Sequence, residues 1–425
     1  MSILSEELQL SHLCSVFCCV VLMALVQISQ NALEKRIKRR IRSRTQHFYA
    51  VVPPGFEDTA CRELAACGIS ARQEERGGVA FSGQWEDCWK AHHAARIPAR
   101  ILVRLDRFYC TRFEQLEKHV RRFPWELWIR PHHVLAFQVD AQRSALYHEG
   151  AVRERLESWV TERLAPWRVI SPEPGPEPAM QTVYVRILRN HVTVSLDCSG
   201  ELLYKRGYEK HVDFAPLRDN IAAAILQEAD VSGFDTFVDP MAGSGTFGLE
   251  TLLLLAKRAA GHYRHFAFED FPVFRPAAYR HVLKTVFAER RVSARLSSLI
   301  LCDVRRRSLD IIRYNLKCIA EQGIDTGRVS VKQLDFFQTG AELISGNTLI
   351  CLNPPYGMRL KSAQSTRNFF VKLGQHLRRY WKGCSFAVIA PGEEAERALA
   401  LPSSQKMLFH NGGISAAVLI GTLQK

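Results

Sequence analysis

From residue 47 onward, short apolar runs alternate with stretches in which apolar residues return every three or four positions. Phe48-Tyr49-Ala50-Val51-Val52, Pro53-Pro54-Gly55 and residues 56–68 read as strand, turn and helix. Strand signals follow at 79–81, 101–105 and 134–139, and helical spacing at 85–95, 113–123 and 151–164. Residues 172–178, Pro-Glu-Pro-Gly-Pro-Glu-Pro, hold too much proline to pack and read as a stiff loop. Residues 182–188 and 192–197 alternate around Arg189-Asn190, a strand pair that closes a small α+β unit.

The second half has a different rhythm. After an amphipathic helix at 217–228, strands at 236–238, 299–301, 329–331, 348–352 and 385–389 interleave with helices at 246–257, 309–322 and 365–380. That order predicts a parallel, doubly wound sheet. Residues 406–410 and 415–422, joined by Asn411-Gly412-Gly413, add a terminal hairpin. A hairpin appended to a parallel sheet resembles the Rossmann-like, class I fold of S-adenosylmethionine-dependent methyltransferases. The expected fold class is therefore α/β, with an α+β region ahead of it.

At 425 residues the chain exceeds one ordinary core, and boundaries are expected at 1–46, 47–205 and 206–425. Its 57 Lys and Arg against 43 Asp and Glu give a net charge of +14, which favours a polyanionic partner over a merely solvated basic surface. The 12 cysteines form no C-x-x-C pair, so they read as thiols in a reducing compartment rather than as zinc ligands or a disulfide framework. His92-His93 and His132-His133 lack ligand-spaced partners and read as ordinary histidines, so no metal is expected. Residues 12–28 are apolar for nearly the length of a bilayer span, and 35–44 carry seven basic residues. Glu6 and Glu7 ahead of the apolar run argue against a secretory signal. Three readings remain: an inner-membrane anchor with the body on the cytoplasmic side, a buried helix, or a translated extension. A cytoplasmic location is expected.

Two loops carry the chemistry. Asp239-Pro240-Met241-Ala242-Gly243-Ser244-Gly245-Thr246 runs from a strand into a helix, with glycines that let a ligand approach the backbone. Residues 243–248 also fit the dinucleotide pattern G-x-G-x-x-G, whereas the lack of Gly-Lys-Ser/Thr excludes a phosphate P-loop. Asp239 weighs against a dinucleotide, since an acid there repels a pyrophosphate but can accept from the ammonium of S-adenosylmethionine. Asp303, at a strand end, is assigned to the ribose hydroxyls, with a helix-capping Asp as the alternative. Asp335, at the next strand end, is assigned to the adenine amino group, with a solvated turn Asp as the alternative. Glu269 and Asp270 read as insertion-loop residues.

The second loop, Asn353-Pro354-Pro355-Tyr356-Gly357, follows the apolar run at 348–352. Asn353 offers a side-chain carbonyl, Pro354 a backbone carbonyl, Pro355 a stiff turn and Tyr356 an aromatic face. Together these suit a flipped base whose exocyclic amino group is to be methylated. Taken alone the string is also an ordinary strand-ending turn. Lys205 and Arg206, between the two halves, suit phosphate contact or a surface salt bridge.

These two loops, with Tyr204-Lys205-Arg206-Gly207-Tyr208 and Ala215-Pro216-Leu217-Arg218-Asp219-Asn220, resemble the THUMP-containing ribosomal RNA guanine-N2 methyltransferases over roughly residues 47–425. The resemblance implies ferredoxin-like and THUMP RNA-binding regions and transfer to guanine N2 in large-subunit ribosomal RNA, with relatives acting on transfer RNA. Its second-strand motif usually reads Asp-x-Asp-Pro, whereas here Asp303-Val304-Arg305-Arg306 keeps only the first acid. Rival readings are DNA adenine-N6 methylation and a non-catalytic RNA-binding assembly factor.

Overall fold

Two seven-stranded sheets organise the protein; the structure, a computed structural model, describes residues 30–170, 180–212, 216–288, 295–355, 363–411 and 414–424. The apolar segment at 12–28 and the proline-rich loop at 172–178 lie outside the described residues. The first sheet holds β1 (Gln46–Val51), β2 (Ala71–Glu75), β3 (Gly78–Gly83), β4 (Arg100–Tyr109), β5 (Val134–Gln142), β6 (Met180–Leu188) and β7 (His191–Asp197), in the order β2-β3-β1-β4-β7-β6-β5. Only β5 and β6 run parallel. Helices α1 (Glu57–Ala66), α2 (Trp85–Ala94), α3 (Phe113–Arg122) and α4 (Glu149–Ile170) pack on it. Their apolar stripes meet Phe48, Phe81, Val103, Val185 and Leu196 in one core.

Arg189 and Asn190 have φ of 51° and 65°, the left-handed pair that a two-residue hairpin needs to match strand twist. β2 escapes a reading from hydrophobic pattern because Ala-Arg-Gln-Glu-Glu has no apolar alternation; as an edge strand it needs only its ladder to β3. Because β4 pairs with both β1 and β7, the ferredoxin-like segment and the region after it share one sheet. The basic run after residue 34 is not a free linker. Ile37 and Ile41 are buried in the core, and Arg36 lies 2.6 Å from the buried carboxylate of Glu126.

The second half begins with α5 (Asp219–Glu228) and continues through β8 (Thr236–Asp239), α6 (Thr246–Leu255), α7 (Pro276–Ala288), β9 (Ser298–Asp303) and α8 (Arg306–Glu321). Then come β10 (Val329–Gln333), β11 (Thr348–Leu352), α9 (Ala363–Tyr380), β12 (Ser385–Pro391), α10 (Gly392–Leu399), β13 (Ser403–Asn411) and β14 (Ile414–Thr422). The order is β10-β9-β8-β11-β12-β14-β13, parallel from β10 to β12, with β14 antiparallel between β12 and β13. β8 and β11 are buried at every position, as central strands covered on both faces must be. α7 and α10 were not read from the sequence. α7 is held by tertiary contact, its Tyr279 hydroxyl lying 2.6 Å from His93 Nε2, and α10 is only eight residues long and largely charged.

A buried ion cluster joins the halves. Glu250 on α6 is wholly inaccessible, lies 2.9 Å from Arg206 and 3.2 Å from Arg96, and so takes one guanidinium from the connection and one from the turn after α2. Arg206 further donates to Leu203 O and Arg96 O, and Arg96 to Leu253 O and Arg258 O. Burial alone would favour the protonated acid, but the two guanidinium groups outweigh it and hold the Glu250 carboxyl below its ordinary range. Glu250→Ala removes the carboxylate that both buried guanidinium groups face directly. It is expected to lower unfolding free energy by about 3–5 kcal/mol in urea titration, and a loss below about 1 kcal/mol would show that the cluster is energetically idle.

Candidate functional site

In the second sheet, β8, β9 and β10 progress to one side and β11 and β12 to the other. The strand order therefore reverses between β8 and β11. A crevice opens at the carboxyl ends where such a reversal occurs. A cavity of about 490 Å³ lies there, lined by the loop after β8 (Pro240, Met241, Gly243), the end of β9 (Asp303, Val304, Arg305), the segment after β10 (Leu334 to Phe337), Asn353 and Pro355 after β11, and Phe369 of α9. A larger concavity of about 710 Å³ lies on the first sheet, but its Arg104 and Arg107 face Glu74 at 3.6 and 3.8 Å and it has no glycine loop. The chemistry points to the smaller one.

The glycines of the first loop act differently. Gly243 has φ of 56° and open space where a Cβ would project, so its backbone is accessible. Gly245 has φ of 82°, and a Cβ there would lie 3.3 Å from Ile312 Cγ1 on α8. At Gly248 a Cβ would lie 2.6 Å from Leu301 Cδ2, so its absence lets α6 approach β9. Asn315, buried on α8, donates to Ser244 O at 3.0 Å and His211 O at 2.8 Å and accepts from His211 N, tying loop, helix and connection together.

Asp303 is not the helix cap, a position that Arg305 occupies. One carboxylate oxygen accepts from Gly243 N at 3.0 Å and the other from Arg305 N at 2.9 Å, with Arg305 Nε at 3.4 Å. Arg305 thus stands where the resembling motif has its second acid, and it brings a cation to the cavity wall. Asp335 caps the short turn that follows, accepting from Phe337 N at 2.9 Å, and still lines the cavity. Asp239 is buried at the end of β8. Burial pushes its carboxyl well above the usual carboxylate range; the Met241 N–H opposes this and the Asp303 charge adds to it. Two acids in the wall, Asp303 and Asp335, with apolar Met241, Leu334, Phe336 and Phe337 around them, do not fit a pyrophosphate but fit a cationic, nucleoside-bearing cofactor.

Of the residues singled out in the sequence, the cavity brings together Pro240, Gly243, Asp303, Asp335, Asn353 and Pro355. Asp239, Gly245, Thr246 and Pro354 do not line it. Thr246 instead accepts from Lys210 Nζ at 3.1 Å, and Lys210 also pairs with Asp219. Tyr356 lies outside the described residues. Arg206 is a correction: its side chain is 2% exposed and committed to Glu250, so it cannot meet an RNA phosphate. The run that holds it carries tyrosines and a glycine beside the charges, and nothing local marks Arg206 as buried. Lys205 is exposed and pairs with Glu201 at 2.7 Å. Phe337 and Phe369 were missed; for Phe337 the nearby Asp335 was a usable signal, whereas Phe369 reaches the cavity only through the packing of α9. His92 and His93 are buried helix residues bonded to Cys88 O and the Tyr279 hydroxyl, and among the described residues no cluster of His, Cys, Asp or Glu is placed to hold a metal. Among those same residues no helix is long and apolar enough to cross a membrane.

The reversed strand β14, inserted between β12 and β13, separates this sheet from a dinucleotide fold and defines a class I methyltransferase domain behind an α+β region. Residues 206–419 match the family described as RMKL-like, methyltransferase domain, and residues 47–102 the RlmL ferredoxin-like domain. The chain belongs to the RMKL-like methyltransferase family. The ribosomal RNA large subunit methyltransferase K/L of Syntrophotalea carbinolica is 28% identical over 379 residues, 88% of this chain and 53% of that protein. The protein of the same name from Methylococcus capsulatus is 28% identical over 383 residues, 88% of this chain and 51% of that one. The chain thus spans about half the length of these curated relatives. Among solved structures, SMU.472 complexed with SAH shares the fold with a TM-score of 0.77 at 24% identity, over 90% of this chain and 99% of that one.

The raised carboxyl of Asp239 has a pH signature. Unfolded, it ionises near pH ~3.9; folded, it keeps its proton to higher pH, so the native state binds more protons in that interval and stability falls as pH rises through it. Asp239→Asn is expected to remove this decline, making the variant the more stable form at neutral pH. Urea midpoints collected upward from about pH 4 test it, and parallel curves for both proteins would disprove the shift.

Proposed function

We propose that this chain transfers a methyl group from S-adenosylmethionine to the exocyclic N2 amino group of a guanine in large-subunit ribosomal RNA. On this reading residues 206–425 perform the transfer, and residues 47–205, a ferredoxin-like segment followed by a THUMP-type region, bind RNA. The observation that carries it is Asn353 Oδ1, a buried oxygen in the cavity wall with no hydrogen-bond partner among the described residues. Leaving such an acceptor unpaired costs about 1–3 kcal/mol, which a donating amino group in the cavity offsets. The large-subunit ribosomal RNA named for the relatives and the net charge of +14 support RNA as the bearer of that amino group.

Asp303 and Asp335 are the acceptors for the ribose hydroxyls and adenine amino group, Gly243 gives the backbone approach, and Asp239 lies beneath the loop as the acid for the ammonium end. The cofactor, when bound, supplies an electrophilic methyl on a sulfonium. Asn353 Oδ1 and the Pro354 carbonyl accept from the target amino group and so fix the direction of its lone pair. Pro355 stiffens the turn, and Tyr356 provides the face on which an extruded base stacks. A neutral amide is no strong base, so Asn353 orients and the surplus proton passes to solvent. Lys205, exposed and paired with Glu201, is on this reading a contact for an RNA phosphate.

Asn353→Ala should reduce methyl transfer by at least about a hundredfold, the scale of losing one positioning donor or acceptor, while RNA affinity is retained. Incorporation of labelled methyl into unmodified ribosomal RNA, transfer RNA and DNA, with the modified base identified by mass spectrometry, tests both residue and substrate. Undiminished turnover by the variant would remove Asn353 from the mechanism, and N6-methyladenine in DNA would overturn the guanine assignment.

A further inference from the structure

Helix α9 contains no acidic residue over its 18 positions. Phe370, Leu373 and Leu377 on one side are fully buried, while Arg367 and Lys372 are exposed. On the other side of the cavity, α8 opens with Arg306 and Arg307, both exposed, and has no acid in its first turn. Cations there oppose the positive end of the helix dipole, so this arrangement works against local stability and calls for a compensating use. Among the described residues Arg305 pairs with Asp303 and Arg313 with Asp310, whereas Arg306, Arg307, Lys332 and Lys372 have no carboxylate partner.

The two elements frame one opening. Val304, 62% exposed, and Arg305 line one wall; Phe337 and Phe369 line the other, and Lys372 Nζ sits 4.1 Å over the Phe337 ring. Lys332 stands beside the first wall, in register with Cys302 one residue before Asp303. We propose that these basic elements hold the RNA backbone on either side of the nucleotide that enters the cavity, with Arg306, Arg307 and Lys332 on one flank and Arg367 and Lys372 on the other. This rests on the RNA methyltransferase reading above and adds the surface that seats the substrate. A lipid surface fits less well, because the apolar side of α9 is spent in the core and a bilayer would meet charge alone.

The experiment is fluorescence anisotropy of a labelled guanine-containing single-stranded RNA oligonucleotide, titrated with salt, on the full chain. Arg306→Glu/Arg307→Glu and Lys372→Glu are compared with Lys382→Glu/Arg295→Glu, a control pair at the amino ends of β12 and β9, the far end of the parallel strands. The rim variants should lose at least about tenfold in affinity and flatten the dependence of log K on log salt by roughly one per phosphate contact removed, while the control pair stays within about twofold. Calorimetry with S-adenosylmethionine should give the same affinity for all variants. Failure of the parent protein to bind that cofactor would sink the methyltransferase reading independently of the rim. Unchanged RNA affinity and salt slope, an equal loss in the control pair, or rim-dependent binding to phosphatidylserine vesicles without an RNA effect would each overturn the proposal.

Discussion

One carboxylate, Glu250, governs how the two halves of this protein meet. It lies on α6, four residues after the Thr246 that opens the helix, and its partners Arg206 and Arg96 come from the connection and from the first half. Charges so buried are favourable only when their geometry and carbonyl partners are complete, so the cluster tolerates one docking arrangement and penalises others. Since α6 carries the glycine loop at its amino end, that arrangement also fixes where Gly243 faces. Asn315 repeats the constraint from the other side by tying the loop to α8 and to the connection.

The cavity shows the opposite economy. Asp239 and Asp303 place two acids close together beneath a loop, and burial makes one of them reluctant to ionise. Arg305 answers with a cation from the same turn that holds Asp303. A site with a buried, reluctantly ionised carboxyl at Asp239 and, among the described residues, an unpaired acceptor at Asn353 Oδ1 is less stable by itself than an apolar plug would be, and such tension is expected where a ligand completes the set.

Charge is distributed with similar logic. On the first sheet, arginines are matched by Glu74, Glu75 and Asp197, so that large polar surface is internally balanced. Beside the cavity Arg305 is matched by Asp303, but α9 is free of acids and α8 begins in arginines. The net charge of the chain therefore does not describe each part of its surface alike, and exposed cations without a carboxylate partner stand at the mouth of the site.

Much of this was legible in the linear order of residues. Apolar periodicity located most strands and helices, and the residues flanking two strand ends, Asp239 to Thr246 and Asn353 to Pro355, announced the cavity because backbone freedom and acceptor chemistry are local properties. β2, α7 and α10 were not legible, since a polar edge strand and two helices held by neighbours carry no periodic signal strong enough to read alone. The fate of Arg206 and the part played by Arg305 and Phe369 were settled only by folding. An arginine's role depends on whether a carboxylate from elsewhere in the chain, here Glu250, reaches it in the dry interior, and no short stretch of residues contains that information.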